Sequence, residues 1–167
     1  NDRYPSSFSK WKKGEVPEGA EAYANSQLYT DWILQQIFEY GRDHLHLQAM
    51  VYFSDHAESL NKSHNPDTFD FDMTHIPFWI YLSPQYRAHY PELVSTLDSR
   101  REQYFTNDLL YDTLVGLMHA PSDRYDPTHD FTNPMYRFNV NNLTTLLGDQ
   151  PLTNDPMVQS GQYDPIQ

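Results

Sequence analysis

The run Ala49-Met-Val-Tyr-Phe-Ser54 is short, apolar and partly β-branched and aromatic; it follows the polar segment Gly41-Arg-Asp-His-Leu-His46 and ends directly in Asp55-His56. Such a run reads as a buried parallel strand. Parallel strands are buried on both faces, so this one segment already points to a layered α/β domain. In open α/β sheets, sites lie outside the carboxyl ends of the strands. Asp55 and His56 then stand at the rim of the sheet, where a carboxylate oxygen and an imidazole nitrogen suit zinc or another divalent ion. A bare Asp-His dipeptide more often just caps a turn, so the flanking sequence has to decide.

The flanks alternate. From about residue 20 to residue 40, Leu28, Trp32, Ile33, Ile37 and Tyr40 recur at helical spacing, and Gly41 supplies a stop. A polar loop separates the first strand from a second candidate, Ile76-Pro-Phe-Trp-Ile-Tyr-Leu82, with Pro77 near its start, where a missing amide donor is tolerated. After Pro84 a turn leads to a short helix with Pro91 in its first turn. Thr106 or Asn107 caps a further helix over 108–118, with Leu110, Leu114 and Leu117 on its core face. The two strands are expected as neighbours in the centre of a mostly parallel sheet, flanked by the 20–40 and 108–118 helices. Residues 119–147 are rich in loops, with a short apolar segment at 143–147. The expected division is a catalytic-type domain over 1–147 and a tail over 148–167 that packs on the surface or frays.

Composition narrows the functional classes. At 38% hydrophobic and 15% aromatic residues there is material for a core, and a net charge of −12 argues against a nucleic-acid-binding surface. The absence of cysteine excludes disulfides and thiol chemistry. No stretch approaches the roughly 20 consecutive apolar residues of a membrane span, and no signal peptide is visible at Asn1, so the chain itself is expected to be soluble.

Three ordered segments carry a family resemblance. Phe53-Ser-Asp-His-Ala-Glu-Ser-Leu60 with His64 soon after, then Thr74-His-Ile-Pro-Phe-Trp-Ile-Tyr-Leu-Ser-Pro84, preceded by Tyr23-Ala-Asn-Ser-Gln-Leu-Tyr-Thr-Asp-Trp32, resemble the carboxyl-terminal part of the phosphoethanolamine transferases. These are bacterial members of the alkaline phosphatase and sulfatase superfamily that modify lipid A or the lipopolysaccharide core. The resemblance runs from about residue 2 to about residue 118. It implies an alkaline-phosphatase-like three-layer α/β/α sandwich of which only the carboxyl-terminal part is present. The family usually has glycine where this chain has Ala57. If that position needs a positive φ, alanine carries a steric cost there.

By the same resemblance, Asp55 and His56 match zinc ligands of a site holding one or two zinc ions or another divalent metal, and His64 lies near a histidine that contacts the transferred phosphate or a second metal. Glu58 is expected to orient the turn or a ligand. A threonine in the family attacks the phosphorus of phosphatidylethanolamine, and the group passes to a lipid A or core sugar. That threonine, an acidic ligand and another histidine lie upstream of this register and have no counterpart here. The chain is therefore expected to be a piece of a longer enzyme, inactive by itself. Its partners would be phosphatidylethanolamine, the lipopolysaccharide acceptor and the amino-terminal part of the same enzyme. Through that part it would be held at the periplasmic face of the inner membrane. A sulfatase or another phosphotransferase or hydrolase of the superfamily, and a catalytically silent structural or binding piece, are the alternatives. His75 reads as a satisfied histidine at a strand entrance, and His44, His46, His89, His119 and His129 as surface groups.

Overall fold

The computed structural model describes residues 20–59, 66–145 and 148–161. The chain divides into two compact units, residues 1–50 and 51–167. The first is built on helix α1 (Ala20–His44), which runs through Gly41 rather than stopping at it. The Gly41 carbonyl accepts from the amides of both Leu45 and Leu47, and Leu47 packs against the glycine. The helix ends instead where His46 adopts a left-handed φ of 52°, with Arg42 and His44 in the last turn, where cations suit the carbonyl end of the helix. The expected apolar face is not the sheltered one. Leu28, Trp32, Ile37 and Tyr40 are exposed, while Asn25 and Gly41 are buried and Tyr29 and Ile33 are half-buried.

Strand β1 (Ala49–Phe53) crosses from the first unit into the second, where β2 (Phe78–Leu82) pairs with it. The two are neighbours, as the sequence leads one to expect, but among the described residues they form a two-stranded sheet rather than the centre of a larger one, and β2 begins at Phe78 because Ile76 and Pro77 belong to a turn in which the Ile76 amide donates to Thr74 O. Neither strand is deeply buried: of the two, only Leu82 is, and Phe53 and Trp79 are exposed. A second, small ladder is antiparallel and pairs β3 (Thr144–Thr145) with β4 (Gln150–Pro151).

Short helices follow β2. Ser83 caps α2 (Pro84–His89) by accepting from the Tyr86 amide, and Pro84 and Pro91 stand in the first turns of α2 and α3 (Pro91–Asp98), where no intrahelical donor is needed. A 3₁₀ turn, Asn107–Leu109, leads into α4 (Leu110–Met118). The core face of this segment is Leu109, Thr113, Val115 and Leu117, whereas the expected Leu110 and Leu114 are half-buried. Spacing read from leucines alone misassigned the face because Thr113 is buried by its own bonds: its hydroxyl donates to Leu109 O and accepts from the Phe131 amide.

An aromatic cluster joins β2 to the loops. Phe78 stacks on Phe105 with centroids 4.3 Å apart, and Phe131 meets both edge-on. Arg100 lies over Phe131 and Tyr136 and donates to Phe131 O. This burial holds its guanidinium below the usual arginine range, while Tyr136 is pushed up to about 12 by its own burial. Residues 148–161 fold back: the Leu152 amide donates to Leu143 O, and α5 (Pro156–Ser160) is capped by Asp155.

Candidate metal centre

The Asp-His pair leaves β1 in a turn tied down on several sides. Asp55 Oδ1 accepts from the His56 amide at 3.0 Å, and Ser54 Oγ donates to His56 O at 2.7 Å. The Ala57 amide donates to Met73 O at 2.7 Å, in the 3₁₀ turn Phe71–Thr74 that precedes β2. From the start of the α4 segment, Asn107 Nδ2 donates to Ser54 O at 2.9 Å and to Asp55 O at 3.2 Å. Ala57 does not have a positive φ, so the steric cost that such a φ would bring does not arise: among the described residues, only His46 and His119 are non-glycines with positive φ.

Asp55 and His56 are both exposed at the end of the strand. His56 Nδ1 lies 2.9 Å from Ala57 O. A carbonyl only accepts, so in the neutral ring the proton sits on Nδ1 and the lone pair on Nε2. A second hydrogen bond that fixes the tautomer in this way is the usual setting of a metal-ligating histidine. The donor chemistry therefore fits two ligands of a divalent-metal site. It does not complete one: among the described residues, no group of three or more His, Cys, Asp or Glu side chains is placed to hold a metal ion. His64 lies outside the described residues.

His75 is satisfied at the strand entrance, as the sequence leads one to expect, whereas His119 and His129 are more engaged than the sequence conveys. His75 Nε2 is 2.7 Å from Asp155 Oδ2, which joins the entrance of β2 to the cap of α5. His119, read from sequence as a surface group, stacks on Tyr90 at 3.9 Å and meets Tyr86 OH. His129, also read that way, sits between Asp112 and Asp126 and contacts Arg137. Asn107 was legible only as a helix-capping residue. Its bonds to the end of β1 span more than fifty positions, and no local signal announces them.

A second polar concentration lies between α3, α4 and the loop over 120–134. A cavity of about 290 Å³ there is lined in part by Glu92, His119, Tyr125, Asp130 and Asn133. The Asp130 carboxylate is 1% exposed. Oδ1 accepts from the Thr132 amide and hydroxyl, and Oδ2 from Tyr125 OH. Burial pushes Asp130 above the usual carboxylate range, against the lowering effect of those bonds, and pushes Tyr125 up to about 12. With both oxygens engaged by its own loop, this carboxylate fixes the loop's shape, while the bonds from the Phe131 amide to Thr113 Oγ1 and from the Asp126 amide to Asp112 Oδ1 tie the loop to α4.

Comparison with known proteins is consistent with this geometry. The sulfatase family profile matches residues 1–120. Phosphoethanolamine transferase EptA of Salmonella typhimurium is 27% identical over 158 residues, covering 81% of this chain and 28% of that protein. The C-terminal periplasmic domain of phosphoethanolamine transferase EptC from Campylobacter jejuni aligns with TM-score 0.63 and 25% identity, over 82% of this chain and 48% of that one. The corresponding domain of Escherichia coli EptC, solved as a complex with Zn, aligns with TM-score 0.58 and 23% identity, over 90% of this chain and 50% of that one. The chain thus spans little more than a quarter of the curated relative and about half of the solved domains. These neighbours establish the alkaline-phosphatase-like α/β fold. Among the described residues, no helix is long and apolar enough to cross a membrane.

Proposed function

Because this chain belongs to the sulfatase family, we propose that it supplies the carboxyl-terminal part of the catalytic domain of a zinc-dependent phosphoethanolamine transferase. That enzyme would move phosphoethanolamine from phosphatidylethanolamine to lipid A or the lipopolysaccharide core. The observation that carries the reading is the alignment of four-fifths of the chain with a phosphoethanolamine transferase in sequence and with the periplasmic domain of another in structure. In this reading Asp55 and His56 are two of the metal ligands, and His64 contacts the transferred group. Zinc held there would supply positive charge to a transferring phosphoryl group and orient it. The chain's own part is to present a carboxylate oxygen and the Nε2 lone pair from a turn whose backbone is already tied. The remaining ligands and the nucleophile would come from the amino-terminal part of the same enzyme. The working location would be the periplasmic face of the bacterial inner membrane; the solved domain that the chain aligns with is named as periplasmic.

The 167-residue chain alone is expected to turn over no phosphatidylethanolamine, because two ligands leave a tetrahedral site half built. The test is an assay of the complete enzyme on labelled phosphatidylethanolamine with lipid A as acceptor, beside an aryl sulfate. Transfer to lipid A without sulfate release is expected. Sulfate release without transfer would assign the enzyme to the sulfatases proper, and turnover by the chain alone would contradict the two-part site.

A further inference from the structure

We infer that Asn107 is a positioning residue that sets the aim of Asp55 and His56; the inference rests on the metal reading of that turn. Nδ2 donates to two successive carbonyls, Ser54 O and Asp55 O, at 2.9 and 3.2 Å. Both partners can only accept, so the amide orientation follows from them. The Ser54 carbonyl belongs to the peptide plane before Asp55, and the Asp55 carbonyl to the plane between Asp55 and His56. Fixing these planes fixes the direction of the Asp55 Cα–Cβ bond, from which its carboxylate projects. The bond from the Ala57 amide to Met73 O holds the next plane, so His56 is fixed on both sides as well. Removing Asn107 takes the long-range bonds from two of the three planes and leaves the second with only the local bond from the His56 amide to Asp55 Oδ1.

Asn107 is itself firmly held. Phe105, two residues before it, is stacked on Phe78 of β2, and Leu109, two residues after it, is 3% exposed. Its carbonyl also accepts from the Leu110 amide at the start of α4. An asparagine at a helix start ordinarily caps the helix. Here the cap position, Thr106, makes no side-chain bond, and the Asn107 amide is turned to the end of β1 instead. Both long-range bonds come from the Nδ2 end of the Asn107 amide, so its oxygen takes no part in holding the turn. The rigid α4 segment thus sets the geometry of a turn more than fifty residues away.

The test uses the complete enzyme, isotope-labelled, stripped of metal, titrated with zinc and followed at the His56 ring, with amide exchange at Ala57 measured alongside, for wild type, Asn107→Ala and Asn107→Asp. The aspartate keeps the shape but sets oxygens against the two carbonyls. Both variants are expected to bind zinc about tenfold more weakly, as loss of an outer-shell partner does. Both should also exchange Ala57 faster while amides from Thr113 to Leu117 stay protected. Wild-type zinc affinity and wild-type Ala57 exchange in both variants would overturn the inference. So would loss of α4 protection in both, which would make Asn107 a residue that holds the fold. No saturable zinc response in wild type would sink the metal reading and leave Asn107 to be judged on Ala57 exchange alone.

Discussion

The carboxylate of Asp130 occupies the space that a side chain at Gly116 would need. A Cβ on Gly116 would overlap Asp130 Oδ2 and lie 2.6 Å from its Cγ. The carboxylate cannot yield easily, since the Thr132 amide, the Thr132 hydroxyl and Tyr125 OH all donate to it within 2.8 Å. Gly116→Ala would gain about 1 kcal/mol of helix propensity. Overpacking and loss of charge-assisted bonds outweigh that gain, and the net loss is expected at about 2 kcal/mol or more. The melting temperature, measured by circular dichroism, should drop by about 5 °C or more. An unchanged or higher midpoint would show that the loop over 125–133 moves aside freely.

Burial holds Asp130 above its ordinary carboxyl range in the folded chain. The folded state therefore keeps its proton more tightly than the unfolded one. Stability from this group is present below the unfolded value and is lost as pH rises from that value through the raised folded one. Asp130→Asn removes this dependence. Urea midpoints for wild type and variant, compared from about pH 4 to about pH 6, should shift progressively in favour of the variant as pH rises. Parallel curves would contradict the buried, strained carboxylate.

His75 and Asp155 are 2.7 Å apart and link the entrance of β2 to α5. Asp155 is 5% exposed, and its other oxygen accepts from the Met157 amide. His75→Ala should cost about 1–3 kcal/mol by leaving a buried carboxylate oxygen unpaired. It should leave the Met157 amide protected from exchange, whereas Asp155→Ala should expose that amide as well. Equal exchange in the two variants would mean that the cap and the bridge are not separable.

Two strands, their adjacency and the helical stretches were legible in the sequence because short apolar runs and proline positions are local signals. What failed was sidedness. Leu28, Trp32, Ile37 and Tyr40 repeat at helical spacing yet are exposed, while Asn25, which no hydropathy reading would choose, is 1% exposed. Apolar residues around most of the circumference of α1 leave periodicity without a direction. On α4 the buried Thr113 earns its place by two hydrogen bonds rather than by hydrophobicity. The Asp55-His56 turn could be located from its strand and its family motif. Its support could not: Asn107, Met73 and the strand end meet only in three dimensions.

The most direct test of the metal site is zinc stoichiometry by elemental analysis of the complete enzyme, read beside transfer rates, for Asp55→Ala, His56→Ala and His64→Ala. In the proposed site each of the first two would remove a direct bond to the ion, so both should lose zinc and transfer together. His64→Ala should lower transfer with zinc nearly unchanged. Full zinc occupancy with normal rates in Asp55→Ala or His56→Ala would contradict the account and leave the pair as the cap of a turn.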